Sequence, residues 1–205
     1  DLVKQAGPRN LSAVARIAVR LDTGLSRCSD PDMALRNIER FIAACEDPVE
    51  SIRKLADHPR LIESLLQVFS TSQHFSELLI RDPSLVDWLR AGADRRDRAT
   101  LIEDLWTLLN QTAKEDEHRL ILRRFRQKEI LRIGYNDIVR GLPLEVITLD
   151  LSHLADACVE VATRLARRLA SARFGRPIVQ DGEPARFVVL AMGKLGGEEL
   201  NYSSD

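Results

Sequence analysis

Gly193-Lys194-Leu195-Gly196-Gly197, followed by Ser203-Ser204-Asp205, is the part of this chain whose residue types and spacing suit chemistry on a phosphate. Glycines let a backbone come close to phosphate oxygens, and Lys194 brings a compact positive charge. Ser203-Ser204-Asp205 follows, so the segment ends on a carboxylate. Gly196 and Gly197 open a segment, Glu198 to Asn201, that reads as the start of a helix whose N–H groups face an anion. A β-turn-α corner, in which glycine only supplies unusual dihedrals, fits the same residues. The GxxxxGK[ST] phosphate loop is not matched, because Lys194 precedes the glycine pair and no Ser or Thr follows it directly.

The elements that must position this turn change character at Gly175. Before it, from about Asn10 to Arg173, apolar residues recur at helical spacing. Asp30-Pro31, Asp47-Pro48, His58-Pro59 and Asp82-Pro83 each precede such a series. Proline suits the first helical position, where its missing N–H has no intrahelical partner, and a preceding Asp can cap, so each pair predicts a helix start. Leu61, Ile62 and Leu65 match Leu85, Val86 and Leu89 at an offset of 24 residues, but two copies fall short of a repeat array, and a helical bundle fits better. Longer helices are predicted over Thr100 to Lys114, Arg119 to Ile138 and Asp150 to Arg173. The last carries the stripe Leu151, Leu154, Cys158, Val161, Leu165 and Leu169, which is read as core.

Beyond Gly175 the period is that of strands. Arg176 to Gln180 and Arg186 to Met192 flank a turn rich in Asp181, Gly182 and Pro184, which predicts a β-hairpin. Phe187 to Met192 is apolar throughout, as in a strand covered on both faces. The expectation is therefore a mainly α helical bundle, residues 1–174, running into the first β-hairpin of an α+β domain that begins at 175–205.

Composition sets the bounds. The chain has 205 residues, 44% apolar and 30% charged, enough for one sizeable core or two modest ones without disulfide staples. With 30 basic and 31 acidic residues there is no global field, so nucleic acid is not favoured as a partner on charge. Cys28, Cys45 and Cys158 are odd in number and lack CxxC spacing, which indicates reduced thiols and a cytoplasmic setting. No apolar run approaches the roughly 18 residues of a membrane span, and the start carries no secretory signal pattern, so no membrane is expected. A chain that begins on Asp1 and stops inside a motif is expected to be a piece of a longer polypeptide.

Gly193-Lys-Leu-Gly-Gly-Glu-Glu-Leu-Asn-Tyr-Ser-Ser-Asp205 resembles the signature of the glutamine synthetase adenylyltransferase family, bifunctional enzymes with two nucleotidyltransferase domains of the DNA polymerase β type. Phe75-Ser-Glu-Leu-Leu-Ile-Arg-Asp-Pro-Ser-Leu-Val-Asp-Trp88 and Leu122-Arg-Arg-Phe-Arg-Gln-Lys-Glu-Ile-Leu-Arg-Ile133 extend the resemblance upstream, so about Gln73 to Asp205 is covered. The resemblance implies that Gly193, Lys194, Gly196, Gly197, Ser203 and Ser204 bind nucleotide or phosphate. It also implies that Asp205 is catalytic, as the first carboxylate of an Asp-x-Asp pair holding Mg2+ or Mn2+. The second carboxylate is absent from this sequence, so the chain as it stands is expected to be inactive. Glu199-Leu-Asn-Tyr-Ser-Ser-Asp205 is similar to the N-terminal, AMP-removing half of such enzymes. The implied reaction is phosphorolysis of AMP-modified glutamine synthetase by inorganic phosphate, releasing ADP. Glutamine synthetase, ATP or ADP, inorganic phosphate and a PII-type signalling protein are the implied partners. The alternatives are the adenylylating domain of the same family, another transferase of the polymerase β type, or a helical module that acts chiefly through protein contacts.

Other polar series have plainer readings. Arg119, Arg123, Arg124, Arg126, Lys128 and Arg132, with Glu115, Glu117 and Glu129 nearby, read as a solvated, ion-paired surface. Arg164, Arg167, Arg168, Arg173 and Arg176 lead toward the glycine turn and can touch an acidic partner or a nucleotide, although arginine on the polar side of an amphipathic helix is common. His58, His74, His118 and His153 show no zinc-ligand spacing. Trp88 and Trp106 lie on apolar stripes and read as core or interdomain contacts.

Overall fold

The computed structural model describes residues 11–112 and 114–203, and the fold is mainly helical. Two compact units divide it. One holds the described residues up to Ala93 together with Gly134–Gly141, and the other holds Asp94–Ile133 and the residues from Leu142 onward.

In the first unit, α1 spans Leu11–Leu25, α2 Pro31–Ala44, α3 Pro48–Asp57 and α4 Pro59–Thr71, followed by α5 at Gln73–Arg81 and α6 at Leu85–Gly92. Pro31, Pro48 and Pro59 each open a helix as predicted. Asp30 accepts a hydrogen bond from the Met33 amide at 2.8 Å, and Asp47 accepts one from the Glu50 amide at 2.9 Å, so each satisfies an otherwise orphaned donor. His58 ends α3 through its own amide, 3.1 Å from the Lys54 carbonyl, and the next residue begins α4. Asp82-Pro83 departs from the pattern: Asp82 bonds the Ser84 amide at 3.2 Å in a tight turn, and α6 starts two residues after the proline, at Leu85. Ser72, without a proline, opens α5 by accepting from the Phe75 amide at 3.3 Å.

The apolar stripes of these helices close over one another. Ile17, Ile38, Ile42, Ile52, Ile62, Phe69 and Leu79 are fully buried. The rings of Phe41 and Phe69 lie 5.8 Å apart at 52°, a favoured tilted pairing. The residues related by the 24-residue offset share a buried role, with Ile62 and Leu65 matched by Val86 and Leu89. Asn37 is buried because its amide has two acceptors, the Phe69 carbonyl at 3.1 Å and Gln73 Oε1 at 3.0 Å, which ties α2 to the α4–α5 junction.

The second unit contains α7 at Arg98–Asn110, most of α8 at Glu115–Ile138, and α9 at Leu144–Phe174, a helix of 31 residues. Asp97 caps α7 by accepting from the Thr100 amide at 2.8 Å. The start of α9 lies six residues before its predicted start at 150, because Gly141 turns the chain at φ +62° and Pro143 presets the entry to the helix. Leu101, Leu105 and Leu109 of α7, Phe125 and Ile133 of α8, and Leu151, Leu154, Val161 and Leu165 of α9 form one core, with Cys158 and Leu169 packed against it. The stripe predicted along α9 is thus core.

Gly175, at φ +86°, ends α9. Beyond it the expected hairpin reduces to one antiparallel bridge, Ile178 with Pro184, where the Val179 amide donates to the Glu183 carbonyl at 2.9 Å and the Ala185 amide to the Pro177 carbonyl at 2.9 Å. Phe187 to Met192 forms no ladder among the described residues, and its side chains are exposed, Leu190 at 82%. An isolated pair of strands is marginal in water, and no further strand among the described residues covers this run or satisfies its backbone. Among the described residues no helix is long and apolar enough to cross a membrane.

Candidate functional site

The glycine turn has a defined backbone shape. Gly193–Gly196 forms a single helical turn. Gly193 sits at φ +58°, a region where a side chain would be strained, and a Cβ on Gly196 would lie 2.6 Å from the Ala191 carbonyl oxygen. Glycine at 193 is therefore favoured by dihedral, although Glu198 tolerates the same φ, and at 196 it is demanded by close backbone approach. The helix expected at 198–201 does not form. The Gly196 amide donates to the Met192 carbonyl at 3.3 Å, the Gly197 amide to the Gly193 carbonyl at 3.0 Å and the Glu199 amide to the Lys194 carbonyl at 2.8 Å. Glu198, at φ +58°, then turns the chain out of helical conformation.

This arrangement decides what the turn offers an anion. The amides of Gly196 and Gly197 are engaged inside the turn, so in this conformation the exposed Lys194 supplies the positive charge. Downstream, the Leu200 amide donates to Ser152 Oγ at 3.1 Å, and Leu200 packs against the second unit's core. That bond fixes the glycine turn to the first half of α9. Ser203 donates to Asn201 Oδ1 at 3.2 Å within the same segment. Ser204 and Asp205 lie outside the described residues. Among the described residues no three His, Cys, Asp or Glu side chains come together as a metal-binding group.

Sequence reasoning missed a buried charge network in the same unit. Arg132, read as one of a solvated series, is fully buried, and Glu129 and Asp150 are nearly so. Arg132 Nε donates to Glu129 Oε2 at 2.7 Å and its Nη1 to the Asp94 carbonyl at 3.2 Å. Arg95 forks onto Asp150 with contacts of 2.8 to 3.2 Å, and Arg96 bridges Asp104 at 2.7 Å and Glu129 at 3.3 Å. The Asp94–Asp97 link is thereby pinned to α8 and α9. The signal was present as an i, i+3 Glu129–Arg132 pair between apolar residues, but periodicity alone does not say which side of the helix is covered.

The arginines of α9 divide. Arg164 is paired with Glu160 at 2.6 Å. Arg168 bonds Asn110 Oδ1 at 2.9 Å and stacks 5.1 Å from the centre of the half-buried Trp106 ring, while Arg167 donates to the Ala185 carbonyl at 3.4 Å.

The chain is mainly helical and leads into an exposed apolar run and a Gly-Lys-Leu-Gly-Gly turn. The family model of glutamate-ammonia ligase adenylyltransferase matches residues 62–205, more than half of the chain, and the chain belongs to that family. Three curated relatives are each named bifunctional glutamine synthetase adenylyltransferase/adenylyl-removing enzyme. That of Pseudomonas aeruginosa is 40% identical over 148 residues, covering 70% of this chain and 15% of the relative. That of Shewanella woodyi is 35% identical over 144 residues, with coverage of 70% and 15%. That of Thioalkalivibrio sulfidiphilus is 30% identical over 220 residues, covering 100% of this chain and 22% of the relative. The chain thus spans about a fifth or less of the length of these relatives. No solved structure matches it.

Proposed function

We propose that this chain belongs to the AMP-removing part of an enzyme acting on adenylylated glutamine synthetase, in which residues 1–174 are a helical region and residues 175–205 begin the nucleotidyltransferase domain. The observation that carries this reading is the family match through residue 205, ending on the Gly193–Asp205 signature. The resemblance of Glu199-Leu-Asn-Tyr-Ser-Ser-Asp205 to the N-terminal half of the family favours removal of AMP over its addition.

In the reaction, inorganic phosphate attacks the phosphorus of the phosphodiester joining AMP to a synthetase tyrosine. The bond from phosphorus to the tyrosine oxygen breaks, ADP leaves, and the tyrosine oxygen takes a proton. Lys194 steadies phosphate oxygens from a turn followed by Leu200, whose amide is bonded to Ser152 of α9. Ser203 and Ser204 supply further donors. Asp205 would hold Mg2+ or Mn2+, whose positive charge would support the transferring phosphoryl group. The setting is cytoplasmic, and a PII-type signalling protein is a regulatory partner.

The test uses an enzyme of the relatives' length that contains this chain, given AMP-modified glutamine synthetase, magnesium and inorganic phosphate. Asp205→Asn should abolish ADP release while leaving the helical content unchanged. Unaltered release would remove Asp205 from the site.

A further inference from the structure

We propose that the last turns of α9 and the loop after Gly175 form a second anion site, distinct from the glycine turn, which takes the phosphate chain of a small di- or triphosphate. Arg167, Arg168 and Arg176, with Ser171 and Pro184, line a groove of about 590 Å³, and no carboxylate lines it. An adjoining groove of about 360 Å³ shares Arg167 and Arg176 and also lacks an acidic wall.

Two ordinary explanations for clustered arginines do not cover these three. A helix C-terminus attracts cations, but the effect falls off within the last turn, where only Arg173 stands. Surface arginines usually face a carboxylate, as Arg164 faces Glu160 at 2.6 Å. Arg167, Arg168 and Arg176 have no carboxylate partner among the described residues, and the acidic residues of the next turn, Asp181 and Glu183, do not line the groove. Two of the three side chains are instead held by neutral groups. Arg168 is bonded to Asn110 and stacked on Trp106, and Arg167 reaches the Ala185 carbonyl. Stacking uses the face of a guanidinium and leaves edge N–H groups to donate, so these contacts aim the forks without neutralising them.

Three guanidinium groups within ten residues of sequence match an anion carrying more than one charge, and paired N–H groups suit phosphate oxygens. The cations are confined to one short groove on a chain of net charge −1, which favours a small polyphosphate over a nucleic-acid backbone. Gly193–Gly197 does not line this groove, so the inference stands apart from the proposed catalytic reading.

Trp106 reports on the site because Arg168 lies over it, and Trp88→Phe leaves Trp106 as the sole indole. The 205-residue Trp88→Phe chain is titrated with phosphate, pyrophosphate, tripolyphosphate and ATP at constant ionic strength, following fluorescence. The expected result is a saturable change whose affinity rises from phosphate to tripolyphosphate. Arg167→Gln and Arg176→Gln should each weaken it about threefold to tenfold, with circular dichroism unchanged. Arg164→Gln should leave it as it is. ATP binding more tightly than tripolyphosphate would identify a nucleotide as the ligand, and equal binding would show that only the phosphate chain is read. A response no different from that to sodium chloride, or one unmoved by the two groove substitutions together, overturns the site.

Discussion

Replacing Arg132 with Met should be among the most damaging single changes in the second unit. Its guanidinium is fully buried, bonded to Glu129 at 2.7 Å and to the Asp94 carbonyl at 3.2 Å. Removing it leaves the Glu129 carboxylate, 2% exposed, with Arg96 at 3.3 Å as its remaining cation, and strips the Asp94 carbonyl of a donor. Deleting one partner of a buried ion pair costs about 3–5 kcal/mol, because the other charge stays out of water uncompensated. Arg96 keeps part of that compensation, and Asp150 keeps its fork from Arg95, so the cost falls at the lower end, about 3 kcal/mol. Replacing both partners, Glu129→Leu with Arg132→Met, removes the charge that was stranded and should recover most of the loss. Urea unfolding followed by Trp106 fluorescence in the Trp88→Phe background gives all four corners of the cycle. A coupling energy of about 2 kcal/mol is expected between the two substitutions. Strict additivity, or a loss below about 1 kcal/mol for Arg132→Met, would refute the reasoning that the Glu129–Arg132 pair is coupled out of contact with water.

Gly134→Ala places a Cβ 2.2 Å from a Phe75 ring carbon, and overpacking of this kind should lower stability by about 1–3 kcal/mol in thermal unfolding, with Phe75→Leu restoring part of it. Hydrogen bonds from the Thr100 amide and hydroxyl hold the Asp97 carboxyl below its ordinary range. Its contribution is therefore present at neutral pH and lost as pH falls through that lowered value, so Asp97→Asn should flatten the acid side of the stability profile measured by urea midpoints. Burial pushes the Cys158 thiol up to about 11, so the folded chain at pH 8 should leave Cys158 unmodified by iodoacetamide long after the urea-unfolded chain has reacted, as peptide mass spectrometry would show.

Local chemistry was the most legible part of the fold. Asp30-Pro31 and Asp47-Pro48 mark helix starts because the proline and the capping carboxylate act within one turn, whatever the rest of the chain does. Asp82-Pro83 misled by two residues because Asp82 found a nearer donor in Ser84. Strand structure at 186–192 was not recovered, since a β ladder needs partner strands and a continuous apolar run cannot supply them. In the candidate site, the sequence pointed to Gly193 and Gly196, and the structure adds why glycine is favoured at 193 and required at 196. It did not show that the Gly196 and Gly197 amides turn inward, nor that Ser152, 48 residues before Leu200, anchors the segment through it. Tertiary contacts of that kind leave no trace in spacing. The burial of Arg132 is the same lesson with the sign of the solvent reversed.

The most direct test of the functional account follows the fate of inorganic phosphate. An enzyme of the relatives' length containing this chain is incubated with AMP-modified glutamine synthetase, magnesium and radiolabelled inorganic phosphate, and the nucleotide products are separated. The account predicts label in the second phosphate of released ADP, with unmodified tyrosine restored on the synthetase. Unlabelled AMP as the product, or AMP transfer from ATP onto unmodified synthetase with no labelled ADP, would contradict it.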